Sequence, residues 1–599
     1  MVTLAAQAEL VAKKRYYLKD EDSVPVEDAD GMFRRVAAAV SAVETKYGKL
    51  EVEANILAND FHSIMTSLDF IPNSPTLMNA GTEQGTLSAC FVLPLEGIMK
   101  AAHDAAMVQK FGGGTGFALS KLRPKGDRIK TTHGVSCGPI EVLKTLSRVS
   151  SMITQGGKRD GANMAVMDVH HPDILEFINC KSVEGDIHNF NISVGVTNDF
   201  MEAVKAGIDY PLINPRTKEI VGKLDAKDVF SKMVYGAWRN GEPGMVFLDT
   251  INKDNKVVSE YGEMIATNPC GEQPLLGNES CNLGSVNLAN FFKSTDMARS
   301  SEPSLDWKVN VDWLKLDKTI RLATRFLDNV IDANHYATPE IEEMTKSTRK
   351  IGLGIMGFAD LLIQLRIGYD PELGRFVGNY IMGFIRDIAD NESMRLANSR
   401  GVFPAWKNSD YVNSDRKLRN ACRLTVAPTG TISMLADTSS GVEPTFALAW
   451  KKMNILEGET LYYANKYFER DARDFEFYSE DLMEYISDGG SIQNRDDVPQ
   501  WVKEVYTVAG DITPEAHVLM QAAFQQYCDS GISKTINFSN DASIEDVYTA
   551  YLLAWEEGCK GITVYRSGSR EKEVLVKAEA SQNTIVESQS QLDFLDLVE

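Results

Sequence analysis

The sequence predicts an α/β fold, a layer or barrel of short strands separated by helices, preceded by an N-terminal helical region. Three observations carry this. Between about 71 and 300, short apolar runs alternate with glycine-rich turns, as in "SACFVLPL", "FGGGTGFALSKLRPKGD", "NFNISVGVT" and "EPGMVFLDT". Helix-like segments such as "HPDILEFINCK" fall between them, the order expected of a strand–helix–strand layer. Residues 1–70 instead show helical spacing, and "EDADGMFRRVAAAVSAVETKYG" ends at Gly48, a residue suited to a C-cap.

Further along, residues 311–400 read mostly as amphipathic helix, 422–450 as strand and loop, and 455–530 as acidic helix. Two late strands, "ISKTINFS" and "GITVYRSGS", flank the helix "SIEDVYTAYLLAWEEG". The final "AEASQNTIVESQSQLDFLDLVE" is polar, then acidic and apolar, and predicts a flexible tail. No internal repeat is visible.

Composition narrows the function. With 43% apolar and 24% charged residues among 599, the chain has the make-up of a globular protein. A formal net charge of −22 argues against broad binding to nucleic acid or to an anionic membrane, though a local basic pocket for a nucleotide phosphate remains compatible. No apolar run reaches the ~20 residues of a membrane span. The start "MVTLAAQAELVAKKRYY" lacks a signal-peptide layout, so a cytoplasmic location is the expectation. The eight cysteines, at 90, 137, 180, 270, 281, 422, 528 and 559, form no C-x-x-C, against a zinc ribbon or thioredoxin-type motif. Each defaults to a small buried hydrophobe.

Several patterns imitate known sites. "GLGIMG" at 352–357 fits G-x-G-x-x-G, but polar "EEMTKSTRK" precedes it where a strand is required, so close helix packing is the expectation. "GGKRDG" at 156–161 fails as a P-loop because arginine follows Lys158. "FGGGTGF" at 111–117 admits a tight turn or a backbone approaching a ligand. "HH" at 170–171 precedes Pro172 and reads as a helix start.

In "NPCGE", Asn268, Cys270 and Glu272 alternate. If the stretch is extended, all three project to one side, with Pro269 and Gly271 forming the other edge of a tight loop. The amide can hold a hydroxyl, the carboxylate can take its proton, and the thiol can react as a thiolate or a radical. A loop around a buried cysteine is the plain alternative. "APTGTIS" at 427–433 reads as a helix N-terminus able to favour a phosphate, or as an ordinary capped helix. "NSPTLMNAGTEQGTLSACFVLP" at 73–94 places Cys90 in a strand, where by itself it reads as core.

These pieces occur in one order with "LRPKGD", "HHPDILEFI", "ESCNLGSVNL", "RKIGLGIMGFADLL", "GVEPTFAL" and "GCKGITVYRSGSR". Over roughly residues 10–575 the ordered set resembles the catalytic chain of ribonucleotide reductases, specifically the class II, adenosylcobalamin-dependent type. The resemblance implies a ten-stranded α/β barrel over 71–575 with a central finger loop, between the helical 1–70 and the tail 576–599. It implies that Cys270 becomes a thiyl radical and takes the 3′-hydrogen of the ribose, with Glu272 as base and Asn268 holding the sugar. Cys90 and Cys281 match the pair that reduces the 2′ position and ends as a disulfide. Pro428, Thr429, Gly430, Thr431 and Ile432 match the loop that holds the substrate phosphates, with Ser74 nearby. Ala89, Cys90 and Gly113 match positions lining the substrate.

Class I relatives receive their radical through a tyrosine pair in the last strand. Here Tyr565 has Val564 as its neighbour, and a valine relays neither electron nor proton. The pairs Tyr16-Tyr17 and Tyr462-Tyr463 lie elsewhere and read as helix-surface residues. "TVYRSGSR" does not resemble a glycyl-radical motif, and no D-x-H-x-x-G occurs. The implied cofactor is therefore adenosylcobalamin bound over the barrel mouth. The alternative is a class I-like large subunit fed by a separate metal-containing subunit.

The resemblance also implies a homodimer, a ribonucleotide di- or triphosphate as substrate, and a deoxynucleotide effector. Gly97 and Ile98 stand where many members place an acidic effector contact. The N-terminal stretch reads as too short for an ATP-binding cone. No cysteine follows Cys559, so an external thioredoxin-like dithiol or another chain would re-reduce the active-site pair. "QLDFLDL" resembles peptides that dock on bacterial sliding clamps.

Overall fold

Successive strands β1 (Phe70–Pro72), β2 (Cys90–Leu93), β3 (Gly114–Ala118), β4 (Asn163–Asp168), β5 (Phe190–Val196), β6 (Gly244–Phe247), β7 (Glu279–Asn287), β8 (Ile351–Met356), β9 (Thr535–Phe538) and β10 (Gly561–Arg566) belong to one sheet. The computed structural model describes every residue except 1, 3, 84, 130–132, 154–160, 183, 184, 186, 294–305, 453–460 and 570–599, and leaves out the side chains of 450–452 and 461–463. The predicted tail, its clamp-like peptide and most of "GGKRDG" thus lie outside the described residues.

Strands β2 to β6 run parallel, each beside the next. On one edge β6 meets β10 antiparallel, and β10 lies parallel to β9. On the other edge β2 meets β7 antiparallel, and β7 lies parallel to β8. Residues 424–426 close the ring, with Leu424 bridging Leu353 of β8 and Val426 bridging Ile532 just before β9. The ring is a barrel of two parallel sets, while β1 sits outside it against β7. The expected α/β barrel is present.

Side chains alternate across this wall with period two. In β2, Phe91 and Leu93 face the outer helices, whereas Cys90 and Val92 join an inner cluster with Met164, Val166, Cys281 and Leu283. A wall covered on both faces explains why the strands read as nearly continuous apolar runs.

The first helices are α1 (Ala6–Arg15), α2 (Ala29–Ser41) and α3 (Glu51–Thr66). Asp28 caps α2 by accepting from the Gly31 N–H, and Met32, Phe33, Val36, Ala37 and Val40 form its buried face. That face shares a core with α4 (Trp313–Ala333) and α5 (Glu372–Arg400). A buried ionic network pins these helices together. Asp328 of α4 accepts from Arg349 at 2.8 Å, Arg400 at 2.8 Å and Asn420 at 3.0 Å, while Glu44 accepts from Arg325 at 2.6 Å. Burial alone would raise the Asp328 pKa, but Arg349, Arg419 and Arg400 outweigh it and hold the group at about 2. Asp328→Ala leaves three guanidinium groups short of an anion and is expected to cost about 3–5 kcal/mol, read as a lower urea midpoint at pH 7. Because the folded-state pKa is depressed, wild-type stability from this group is full above its unfolded pKa, near the ordinary carboxylate value. It is lost as pH falls toward 2.

Four expectations need correction. "GLGIMG" is strand β8 itself, interrupting the helices predicted for 311–400, and a Cβ on Gly354 would lie 2.4 Å from the Thr425 carbonyl oxygen. Its glycines admit the neighbouring chain; they do not pack a helix. Tyr16 and Tyr17 are buried at the end of α1, so they are not helix-surface residues. Tyr462 and Tyr463 fall in a short strand, Leu461–Ala464. Cys137 is exposed, unlike Cys90, Cys281, Cys422, Cys528 and Cys559, which are buried. The two histidines do sit just before a helix, Ile174–Asn179, where the His171 ring contacts the Leu122 carbonyl at 3.1 Å.

Candidate active site

A hairpin projects into the barrel. Ala266–Thr267 pairs antiparallel with Pro274–Leu275, leaving "NPCGEQ" as the tip. The tip is a tight turn: the Gly271 N–H donates to the Asn268 carbonyl at 3.1 Å, and Gly271 adopts φ +81°, where a side chain would be strained. The stretch is therefore folded back, not extended along its length.

The wall makes room for it. A Cβ on Gly116 of β3 would lie 1.8 Å from the Thr267 carbonyl oxygen, so only glycine fits there. Both halves of the ring hold the tip. Asn191 of β5 donates to the Pro269 carbonyl at 3.0 Å, while the Gly531 N–H and the Thr425 hydroxyl donate to the Glu272 carbonyl at 2.8 and 3.0 Å.

Asn268 and Glu272 are buried and converge on Cys90. The Asn268 amide oxygen accepts from the Gln273 N–H at 2.9 Å, which turns its Nδ2 toward Cys90 Sγ at 3.1 Å. Cys90 Sγ lies 3.8 Å from Glu272 Oε1. The other oxygen, Oε2, is buried without a hydrogen-bond partner. Burial pushes the Glu272 pKa up to about 7, against the smaller effect of Asn268 and Cys90. A carboxyl near that value can hold or release a proton at neutral pH.

Cys90 and Cys281 are directly opposite in the antiparallel β2–β7 pair. Opposite residues in such a pair have Cα atoms about 4.5–5.5 Å apart, within the range a disulfide spans. Both are thiols here. Burial pushes both pKa values well up, with Glu272 adding to the effect at each. Cys270 is half-buried at the hairpin tip.

A cleft partly open to solvent joins Asn268, Glu272, Cys90 and Cys270. Of the residues predicted from sequence, Ser74, Ala89, Cys90, Asn268, Cys270, Glu272, Pro428, Thr429, Gly430 and Ile432 line it. Three do not. Cys281 is fully buried, opposite Cys90 across the β2–β7 pair. A Cβ on Gly113 would meet Phe91 and Val108 at 2.6 Å, so this glycine serves packing, and Gly112 and Gly114 reach the cleft instead. Thr431 is buried, its hydroxyl accepting from Arg15 at 2.7 Å. Pro428 to Ile432 lead into the short helix α6 (Gly430–Leu435), as "APTGTIS" suggested. The sequence reading missed Asn73, Gly284 and Ser285 of the lining, and the contacts made by Arg15 and Tyr16. Asn73 lies in the "NSP" motif and Gly284 and Ser285 in "ESCNLGSVNL", but neither motif shows which of its residues reach the cleft; nothing local marked the contacts of Arg15 and Tyr16.

Residues 88–417 and 414–565 match the family described as "Ribonucleotide reductase, barrel domain", and residues 3–85 match "Ribonucleotide reductase, all-alpha domain". A Thermoplasma acidophilum protein named vitamin B12-dependent ribonucleoside-diphosphate reductase is 42% identical, covering 96% of this chain and 81% of its own. A Mycobacterium tuberculosis protein of the same name is also 42% identical, with the same coverage of both chains. Among solved structures, the class Id ribonucleotide reductase alpha subunit of Actinobacillus ureae superposes with a TM-score of 0.74 at 23% identity, covering 94% of this chain and 97% of that one, a likeness of fold.

Proposed function

Because the chain belongs to the ribonucleotide reductases, we propose that it reduces ribonucleotides to 2′-deoxyribonucleotides by a thiyl-radical mechanism dependent on adenosylcobalamin, supplying DNA precursors. The observation that carries this is the grouping of Cys270, Asn268 and Glu272 at one cleft with the cross-strand thiols Cys90 and Cys281. Cys270 takes the 3′-hydrogen of the ribose and later returns it. Asn268 holds the sugar and Glu272 accepts the 3′-hydroxyl proton. The 2′-hydroxyl leaves as water, and Cys90 and Cys281 supply two electrons and two protons as they join in a disulfide. Pro428 to Ile432 hold the phosphates, with Ser74 beside them.

The residues fit a cobalamin. Cys270 is the partly exposed one of the three site thiols, the one a cofactor at the cleft would meet. On β10, Val564 is buried next to Tyr565, so that strand carries no tyrosine pair. When bound, the cofactor supplies the radical equivalent that Cys270 requires. Both B12-dependent relatives are named as diphosphate reductases, so a ribonucleoside diphosphate is the substrate proposed for this chain. Re-reduction by a thioredoxin-like dithiol, assembly as a homodimer, a deoxynucleotide effector and a cytoplasmic location complete the reading. Among the described residues no helix is long and apolar enough to cross a membrane.

The test is anaerobic incubation of the chain alone with a ribonucleoside diphosphate or triphosphate, adenosylcobalamin and a dithiol. Deoxyribonucleotide is expected without a second subunit; formation only after a metal-containing partner is added would favour the class I-like alternative. Glu272 adds a pH prediction. As a base it must be ionised, so kcat/KM should rise with pH through about 7. Glu272→Gln should remove that limb and lower kcat/KM by roughly 10²–10⁴-fold, measured as initial rates between pH 5.5 and 8.5.

A further inference from the structure

A nucleotide polyphosphate brings several negative charges to the cleft, yet among the described residues lining it there is no lysine, arginine or histidine. The lining instead includes Glu272, whose buried Oε2 has no partner and which can carry a further negative charge. The chain as a whole is acidic, with a net charge of −22. Backbone amides and hydroxyls of the 428–432 loop can hydrogen-bond a phosphate, but they carry no charge to balance it.

A cation contacting that loop comes from a separate part of the chain. α1 packs against α6, and its last residue, Arg15, places Nη1 2.7 Å from the Thr431 hydroxyl. Thr431 lies between Gly430 and Ile432, both of which line the cleft. The next residue, Tyr16, holds its hydroxyl 2.9 Å from Ser74 Oγ, also in the lining. Two consecutive side chains at the end of α1 thus contact Ser74 in the cleft lining and Thr431, the buried residue between two lining residues. Lys14 shares that last helical turn, as does Lys13, which pairs with Glu9 at 3.4 Å.

We propose that Arg15 is a substrate-binding residue whose guanidinium meets the terminal phosphate of the nucleotide at the 428–432 loop. This rests on the reading of that loop as the phosphate site. It gives the N-terminal helical region a part in the active site: α1 brings the cation that the barrel's own lining lacks. An arginine suits the task because its planar fork matches phosphate oxygens and it stays charged throughout the working pH range.

The experiment is equilibrium binding of a ribonucleoside diphosphate to the full chain, by calorimetry, at several salt concentrations, for wild type, Arg15→Met and Arg15→Lys. Arg15→Met is expected to weaken binding roughly tenfold or more, the scale of a lost hydrogen bond to a charged group. It should also flatten the dependence of affinity on salt, because the screened charge has gone. Arg15→Lys should keep most of that dependence. An Arg15→Met protein with the wild-type salt dependence would overturn the proposal even if its affinity fell, since a loosened α1 would weaken binding without removing a charge from the site. Binding requires no turnover, so a wild-type chain that binds the nucleotide but makes no deoxyribonucleotide would count against the proposed function while still testing Arg15.

Discussion

Cys270→Ser is expected to lower deoxyribonucleotide formation by roughly 10⁴-fold or more, the scale on which enzymes lose activity when a covalently participating group is removed. Nucleotide affinity should stay close to wild type, because Asn268, Glu272 and the 428–432 loop still line the cleft. The physical reason is specific to sulfur. The hairpin tip is the half-buried point of the site, while Cys90 and Cys281 are buried. A serine in that place keeps the shape and the polarity, but its stronger O–H bond does not give the radical that takes the 3′-hydrogen and later returns it. Single-turnover product formation under anaerobic conditions, paired with a binding titration, reads both halves. Product at near wild-type rates would remove Cys270 from its assigned role.

The second large effect concerns Cys281. Cys281→Ser leaves Cys90 without the partner that stands directly opposite it across the β2–β7 pair. The two-electron reduction then lacks half of its source, and turnover should fall by roughly 10³-fold or more. Added small thiols should not rescue it, since a diffusing thiol is not held opposite Cys90 as Cys281 is. Cys137→Ser, at an exposed thiol away from the cleft, should leave activity unchanged and so separate this effect from a general sensitivity to thiol loss. Rescue of Cys281→Ser by a small dithiol would mean that Cys90 works with a different donor.

Much of this architecture was legible in the chain, and the parts that were not share a cause. The α/β alternation between 71 and 300 and the late strands at 535–538 and 561–566 follow from local apolar periodicity, which the barrel preserves because both faces of its wall are covered. β8 escaped because "IGLGIM" is flanked by strong helix formers, and its glycines answer to Leu283, Gln273 and Thr425 on neighbouring segments. The alternation of Asn268, Cys270 and Glu272 was visible, but not that the turn at Gly271 folds the stretch so that Asn268 and Glu272 converge on a sulfur 178 and 182 residues away. The Cys90–Cys281 pairing could only come from family resemblance, since a cross-strand register leaves no local trace. Arg15 illustrates the limit further: it ends an ordinary helix, and only the packing of α1 on α6 brings it to Thr431, 416 positions along the chain.

The central claim is a division of labour among sulfurs: one is reused while two are consumed in each turnover. It is tested most directly by reacting the fully reduced chain anaerobically with nucleotide and adenosylcobalamin but no dithiol, then alkylating free thiols and mapping the peptides by mass spectrometry. The account predicts product limited to one equivalent per chain, a disulfide joining Cys90 to Cys281, and Cys270 recovered as an alkylated thiol. Product accompanied by Cys270 in a disulfide, or by Cys90 and Cys281 both still reduced, would contradict it.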